Sequence, residues 1–225
     1  MDTAKLGLIG HSEGGIIAPI IASRRKDVDF IVLMAGTGIT GEKILMTQSA
    51  EIQRADSTKE ADIRQGEKMN QKVYDILKKY PDNDKATDLI RKLFQKENDA
   101  EKQKGSADTM SAASIENSIK TVTSPWFRTF LTLDPQDYLR KVHCYLLAIN
   151  GDKDLQVDSK INLPAIEKAL IFGGNSKYTI EEIPGANHLF QTSKTGSPSE
   201  YGTIEETIQP MVLELISSWI LKTVK

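Results

Sequence analysis

This sequence has little cysteine, no long apolar run and no large excess of charge of either sign. Cys144 is the only cysteine among 225 residues, so no disulfide can form within the chain and a cysteine-based metal site is excluded. No apolar run approaches the roughly 20 residues that a membrane-spanning helix needs. Lysine and arginine number 29 against 31 aspartates and glutamates, and no stretch is strongly basic. The composition therefore gives no electrostatic support for binding to nucleic acid or to an anionic membrane surface.

What the sequence does contain is a serine framed by glycines near its amino terminus. Residues 10–14 read Gly-His-Ser-Glu-Gly and fit the pattern G-x-S-x-G. Three fixed positions match by chance in about one chain in ten of this length, so the flanking residues decide what the match means. The apolar run Leu6–Ile9 precedes the motif and the helix-like run Gly15–Ala22 follows it. This arrangement predicts a sharp turn, whose tightness requires both glycines and which exposes the hydroxyl of Ser12 as a nucleophile.

Short apolar runs bounded by turn residues predict four strands, with helical patterns between and after them. The predicted strands are Leu6–Ile9, Phe30–Ala35, Tyr145–Ile149 and Tyr178–Ile183, and the predicted helices are Gly14–Ser23, Asn162–Phe172 and Thr203–Leu221. The first strand, helix and second strand form a β-α-β unit, whose strands should be parallel. The fourth strand alternates as an edge strand does. The pattern predicts the α/β class, with a mostly parallel sheet of about four strands flanked by helices.

The character of the chain changes between residues 41 and 120. Strand signals disappear, and charged residues that favour helices dominate. Apolar residues recur there at three- and four-residue spacing, as in Met69, Val73, Ile76 and Tyr80. We interpret residues 41–120 as a helical cap inserted into a core made of residues 1–40 and 121–225.

A serine hydroxyl needs a base to take its proton, and the base needs an acid to orient it. The sequence has three histidines. His11 stands beside the serine, where strand alternation directs its side chain away, so we interpret it as structural. His143 precedes a predicted strand and lies at the opposite edge of the sheet from the serine. His188 follows the fourth strand, at the carboxyl ends of the parallel strands where active sites of such sheets form, and it is the predicted base.

The acid is predicted in the loop that follows the third strand. Asp152, Asp154 and Asp158 all lie there, again at a carboxyl end. We choose Asp154, with Asp152 as the alternative, because an aspartate in such a turn often caps the backbone instead. Asp158 is interpreted as part of the amino-terminal cap of the next helix. The resulting order of serine, aspartate and histidine is the one expected of α/β-hydrolases.

On these residues the chain resembles the carboxyl-terminal two-thirds of an α/β-hydrolase with a helical insertion. Within that superfamily it is similar to bacterial carboxylesterases of the serine-aminopeptidase-like group. The likeness is carried by residues 10–15, 34–38, 150–157 and 187–190. It implies that the substrate is a small-molecule ester with a short acyl chain, cleaved through an acyl-serine intermediate without a metal or an organic cofactor.

The resemblance also implies a role for each residue of the predicted site. Ser12 attacks the ester carbonyl, His188 takes the proton of the serine, and Asp154 orients the imidazole. The backbone N–H of Glu13 donates one hydrogen bond to the oxyanion. In a complete α/β-hydrolase, a loop among the strands that precede the nucleophile strand donates a second one. The sequence before Leu6 contains no such strands.

Other interpretations therefore stay open beside the active esterase. The chain is alternatively a catalytically impaired hydrolase-like fragment that self-associates or binds a partner, or a hydrolase of peptide or other acyl bonds. The edge of the Leu6–Ile9 strand is expected to be exposed and apolar, so we predict a homo-oligomer that covers it. Residues 1–5 are too short and too polar for an export signal, and cytoplasmic and periplasmic locations both stay open.

Overall fold

The computed structural model describes residues 5–103, 105 and 109–225. In chain order the elements are β1 (Gly7–His11), α1 (Gly14–Ala22), β2 (Phe30–Met34), α2 (Gly41–Ala55), α3 (Glu60–Lys79), α4 (Asn83–Gln103), α5 (Ala112–Val122), α6 (Pro125–Thr132), α7 (Gln136–Leu139), β3 (Tyr145–Gly151), α8 (Ser159–Phe172), β4 (Tyr178–Ile183) and α9 (Pro210–Thr223). A 3₁₀ helix, Pro198–Thr203, lies between β4 and α9. Over the described ranges, no helix is both long enough and apolar enough to cross a membrane.

The described strands form one sheet in the order β1-β2-β3-β4, and all neighbouring pairs are parallel. Phe30 of β2 stands level with Gly7 of β1 and with Tyr145 of β3. β4 lies at one end of the sheet, as its alternating pattern predicted. Because the strands are parallel, their carboxyl ends meet at one edge of the sheet. The parallel sheet with its flanking helices confirms the predicted α/β class.

The strand β2 is buried on both faces of the sheet. Its side chains alternate between two apolar clusters, and helices supply the other members of each. One cluster includes Ala18, Ile31, Leu33, Ile166 and Leu170, and the other includes Phe30, Val32, Ile149, Val212 and Ile216. Full burial of such an aliphatic side chain is worth about 1.5–3 kcal/mol. The two clusters bury β2 on both faces of the sheet. A one-residue slip would move each side chain to the opposite cluster, so this packing favours one register.

Two helices begin at residues other than those predicted. The last helix, predicted from Thr203, begins at Pro210, and residues 204–209 are irregular. Proline suits the first turn of a helix because its fixed φ is helical and no N–H is left unbonded there. The helix predicted from Asn162 begins at Ser159, because the carboxylate of Asp158 accepts the N–H of Lys160 at 2.9 Å. The predicted capping role of Asp158 is confirmed.

The chain divides into two compact units. One comprises the described residues up to Ile63 together with Asp134–Lys225, and the other comprises Arg64–Leu133. The second unit is helical, and its buried side chains include Val73, Leu77, Ile90, Ile119, Phe127 and Leu131. The predicted cap limits, 41–120, stay a prediction, because compactness does not mark where one segment is inserted into another. Of the predicted ranges, residues 1–4, 104 and 106–108 lie outside the described residues.

Candidate active site

Ser12 lies in the turn between β1 and α1. Its φ is +54°, in the left-handed region that residues other than glycine rarely adopt. The N–H of Ser12 donates to the carbonyl of Met34 at 2.9 Å, which bonds the turn to the end of β2. Its own carbonyl accepts the N–H of Gly15 at 2.9 Å. A backbone of this kind costs about 1–3 kcal/mol and is found where the surrounding structure enforces it, often at functional sites.

The tightness of this turn explains only one of the two glycines in the motif. A Cβ on Gly10 would lie 2.0 Å from the carbonyl oxygen of Gly14, so only glycine fits there. A Cβ on Gly14 would meet none of the described atoms within 4 Å, so the steric reason predicted for Gly14 is wrong. The close approach occurs instead at Gly15, where a Cβ would lie 2.6 Å from the Cα of Gly36. Gly15 and Gly36 therefore let α1 pack directly against the chain that leaves β2.

His188 and Asp154 lie in contact, and each is only 4% exposed. The Nδ1 atom of His188 is 2.8 Å from Oδ2 of Asp154. A carboxylate accepts hydrogen bonds, so Nδ1 carries the hydrogen and Nε2 of the neutral ring keeps its lone pair. The other carboxylate oxygen accepts the N–H groups of Gln156 at 2.8 Å and Val157 at 2.9 Å. Asp154 is thus held by the backbone and fixes the His188 ring in the form that can take a proton.

The alternative acid, Asp152, has a different partner. Its Oδ1 accepts the N–H of Gly185 at 2.7 Å, and the N–H of Lys153 donates to the carbonyl of Ala186 at 3.0 Å. These two bonds join the loop after β3 to the loop after β4. In the part of the chain that the structure describes, Asp154 is the one candidate acid bonded to a histidine. Its catalytic role, like that of Ser12, stays a prediction.

The other two histidines lie in different surroundings. His11 ends β1 beside Ser12, and its Nε2 is 2.8 Å from the backbone carbonyl oxygen of His188. The ring centroids of His11 and His188 are 4.8 Å apart. The prediction that strand alternation directs the His11 side chain away is therefore wrong, because its ring packs beside the predicted base. The structural interpretation of His11 stays a prediction. His143 is exposed and precedes β3, so it lies at the opposite edge of the sheet, as predicted.

Glu13 follows Ser12 and has helical backbone angles. Its carbonyl accepts the N–H of Ile16 at 2.9 Å and that of Ile17 at 3.1 Å. Its backbone therefore belongs to the first turn of α1, where N–H groups point toward the amino end of the helix and favour negative charge. The predicted role of the Glu13 N–H as an oxyanion donor stays a prediction.

The amino-terminal part of the sequence matches a known family. Residues 1–98 match the family described as BAAT / Acyl-CoA thioester hydrolase C terminal. The matched stretch carries β1, the Ser12 turn and β2. The remaining strands continue the same parallel sheet and bring Asp154 and His188 together after the serine in chain order. The chain is similar to this family over less than half of its 225 residues.

Several solved structures resemble this chain in fold. An esterase from Rhodococcus is 18% identical with a TM-score of 0.42, and the match covers 95% of this chain and 64% of that one. An esterase from Pyrococcus furiosus is 14% identical with a TM-score of 0.40, covering 80% and 46%. A monoacylglycerol lipase from Paleococcus ferrophilus is 14% identical with a TM-score of 0.41, covering 97% and 69%. This chain thus spans about half to two thirds of their length. A search of curated proteins finds no match.

A buried asparagine to which the sequence assigned no role of its own shapes the loop that carries His188. Asn187 is fully buried, and its Oδ1 accepts the N–H groups of Leu189 and Gln191, both at 3.0 Å. Its Nδ2 donates to the side-chain oxygen of Gln191 at 3.0 Å. Phe190 has φ of +61° within the same loop. Asparagine commonly bonds to backbone two residues ahead, so the Gly-Ala-Asn sequence before His188 is a turn signal that could have indicated this role.

A second network lies farther along the same loop. Lys153 Nζ donates to the carbonyls of Ser193 at 2.8 Å and Lys194 at 2.9 Å. The carboxylate of Glu200 accepts from the hydroxyl of Ser193 and from the N–H of Thr195. These hydrogen bonds, with Ser193 the largest cause, lower the pKa of Glu200 from 4.5 to about 2. The network ties the segment after His188 to the segment that carries Asp154.

Glu200 should make the stability of the fold depend on pH. Its pKa is lower in the folded state, so the charged carboxylate stabilises the fold above pH 4.5, and this contribution is lost as the pH falls to about 2. We expect the free energy of unfolding in urea to fall less over this window in Glu200→Gln than in the wild type. Glu214→Gln, an exposed carboxylate on α9, is the matched control and should behave as the wild type. An equal loss in all three proteins would contradict the assignment.

Proposed function

We propose that this chain is a serine hydrolase that cleaves short-chain carboxylic esters through an acyl-serine intermediate. The observation that carries the proposal is the buried hydrogen bond between His188 and Asp154, which fixes an imidazole in a proton-accepting form. The contact of His11 with His188 brings this loop to the residue that precedes Ser12. The strained turn at Ser12, at the carboxyl edge of a parallel sheet, supports the same assignment.

In the proposed acylation step, Ser12 Oγ attacks the carbonyl carbon of the ester while its proton passes to Nε2 of His188. Asp154 stabilises the imidazolium through the hydrogen bond at Nδ1. The N–H of Glu13 donates to the oxyanion of the tetrahedral intermediate, at the end of α1 where negative charge is favoured. The intermediate collapses by breaking the bond to the alcohol oxygen. The alcohol leaves with the proton from His188, and the acyl group stays on the serine.

Deacylation repeats these roles with water in place of the serine. His188 takes a proton from the water as the water oxygen attacks the acyl carbon. Collapse of the second intermediate breaks the bond to Ser12 Oγ, which recovers its proton from His188. The cycle consumes one ester and one water and releases one acid and one alcohol, so the enzyme returns to its starting state.

The family description favours a thioester as a second candidate bond. The chemistry at the acyl carbon is unchanged, because a thioester also forms an acyl-serine and an oxyanion. The difference lies at the leaving atom, since a thiolate leaves more readily than an alkoxide and needs less help from the acid form of His188. Peptide hydrolysis and a catalytically impaired binding fragment are the further alternatives.

Labelling with a fluorophosphonate probe tests for an activated serine. We expect one probe to be bound per folded chain and none after unfolding. Ethyl butyrate and S-ethyl thiobutyrate share an acyl group and differ only at the leaving atom, so their hydrolysis rates separate the two candidate bonds. Preference for the oxygen ester supports the esterase, and preference for the thioester assigns the second candidate. A folded protein that takes no label would overturn the proposal and favour the impaired fragment.

We also propose that two copies of the chain associate through the free edge of β1. Within the described sheet β1 is bonded to β2 alone, while Ile9 is 56% exposed and Leu6 is 39% exposed. An unpaired strand edge with exposed apolar side chains is a template for pairing with another strand. We expect light scattering after gel filtration to give a dimer whose share rises with protein concentration. The variant Ile9→Lys should be monomeric, and Ile171→Lys, an exposed isoleucine on α8, should dimerise as the wild type does. A wild type that is monomeric at every concentration would contradict the proposal.

A further inference from the structure

The side chain of His11 forms a hydrogen bond from the serine strand to the loop of the candidate base. Its Nε2 is 2.8 Å from the carbonyl oxygen of His188, and a carbonyl oxygen only accepts, so Nε2 carries the hydrogen and donates. Desolvation is the largest cause that lowers the pKa of His11, and the nearby His188 ring acts in the same direction. The bond to the carbonyl and the charge of Asp154 oppose them without reversing the direction. The arrangement therefore favours a neutral His11 ring with its hydrogen on Nε2.

The His11 ring also packs against side chains of the base loop. Its centroid lies 4.8 Å from that of His188 at an interplanar angle of 46°, and 6.3 Å from that of Phe190 at 64°. His188 is consequently restrained at two points, at Nδ1 by Asp154 and at its backbone carbonyl by His11. The second restraint comes from the residue that is covalently joined to Ser12. A movement of the base loop away from the serine would have to break this bond.

We propose that His11 is a positioning residue that sets the separation between Ser12 and His188. The inference rests on the proposed function, since it concerns how the base is held beside the nucleophile. His11 transfers no proton in this scheme. It acts through the carbonyl of His188, and a displacement of about 1 Å between reacting groups can cost about 100-fold in rate. The hydrogen-bond donor at Nε2, and not the aromatic ring alone, is therefore the feature that matters.

Two substitutions separate the donor from the ring. His11→Phe keeps an aromatic ring and removes the donor, whereas His11→Gln offers an amide N–H at a similar reach. In His11→Phe we expect the labelling rate and kcat for ester hydrolysis to fall about 10-fold to 100-fold, with KM changed less than about threefold. In His11→Gln the rate should fall by no more than about threefold. His143→Phe and His143→Gln make the same changes at the opposite edge of the sheet and should leave the rates and the urea unfolding midpoint unchanged.

Nitrogen NMR of the histidine rings tests the hydrogen bond without relying on activity. In the wild type near neutral pH we expect His11 to carry its hydrogen on Nε2. The ring signals of His188 should shift or broaden in His11→Phe and keep their wild-type positions in His11→Gln. Unchanged His188 signals in His11→Phe, or equal losses of rate in both variants, would overturn the inference. If the wild type takes no fluorophosphonate, the proposed function fails, and the NMR spectra still decide whether His11 holds the loop.

Discussion

Replacement of Ser12 by alanine is expected to abolish fluorophosphonate labelling and to lower kcat for ester hydrolysis by about 10⁴-fold or more. The proposed reaction passes through an acyl group on Ser12 Oγ, and alanine has no atom that can carry it. The base acts on the proton of this hydroxyl, and the oxyanion donor acts on the intermediate that the hydroxyl forms. Both therefore contribute little to the rate once the hydroxyl is removed. Labelling measured by mass spectrometry, together with initial rates on ethyl butyrate, gives both quantities on the same preparation.

The backbone of Ser12 calls for a second variant. Its φ of +54° is strained for alanine but not for glycine, so Ser12→Gly removes the hydroxyl without adding strain. Loss of activity in both variants, with an unfolding midpoint in Ser12→Gly close to that of the wild type, assigns the loss to the hydroxyl. Ser23→Ala is the control, because the Ser23 hydroxyl donates to the carbonyl of Ile20 at 2.8 Å at the far end of α1. Labelling that survives in either Ser12 variant would place the nucleophile elsewhere.

Asp154→Asn is expected to lower kcat by about 10³-fold to 10⁴-fold while leaving the protein folded. In the wild type, Oδ1 of Asp154 accepts the backbone N–H groups of Gln156 and Val157. In the variant, the amide oxygen of the asparagine must take this position, because the amide nitrogen cannot accept a hydrogen bond. The amide nitrogen then faces Nδ1 of His188 and donates to it. The imidazole is forced to carry its hydrogen on Nε2, where it cannot take the proton of Ser12. Initial rates and the unfolding midpoint, measured together, separate this loss from a loss of structure.

Asp152→Asn is the matched control for that experiment. It makes the same change two residues away, on an exposed side chain whose Oδ1 accepts the N–H of Gly185. An amide oxygen keeps that hydrogen bond, so we expect kcat to stay within about threefold of the wild type. A larger effect at Asp152 than at Asp154 would make Asp152 the acid and contradict the assignment drawn from the hydrogen bonds.

The parts of the fold that the sequence predicted correctly depend on short-range patterns. The strands are short apolar runs between turn residues, and the order of β1 and β2 follows from a single β-α-β unit. The placement of Asp154 and His188 at one edge follows from the direction of parallel strands, because each residue stands just after a strand end. That reasoning could not separate Asp154 from Asp152, because two residues in one loop face different partners only once the loop is folded.

The errors and omissions concern contacts between distant parts of the chain. Gly15, and not Gly14, is the glycine required beside Gly36, and this depends on how closely α1 approaches the chain after β2. The bond from His11 to the carbonyl of His188 spans 177 positions in the sequence. The network around Glu200 is of the same kind, because its partners lie in an irregular segment with no periodic pattern. Such contacts carry no local sequence signal, although they complete the candidate site.

Ser12 follows a strand at the rim of the described sheet, and this position determines how the candidate site loses its structure on warming. A strand bonded on one side opens by local fraying at a lower free energy than the strands inside a sheet. The bond from the Ser12 N–H to Met34 is the last rung of the ladder between β1 and β2. Warming should therefore release the serine turn while β2 and β3, buried on both faces, are still intact. In the monomeric chain the working lifetime of the site should then be set by the fraying of this rim and not by the melting of the sheet. The proposed pairing of β1 with a second copy would slow that fraying.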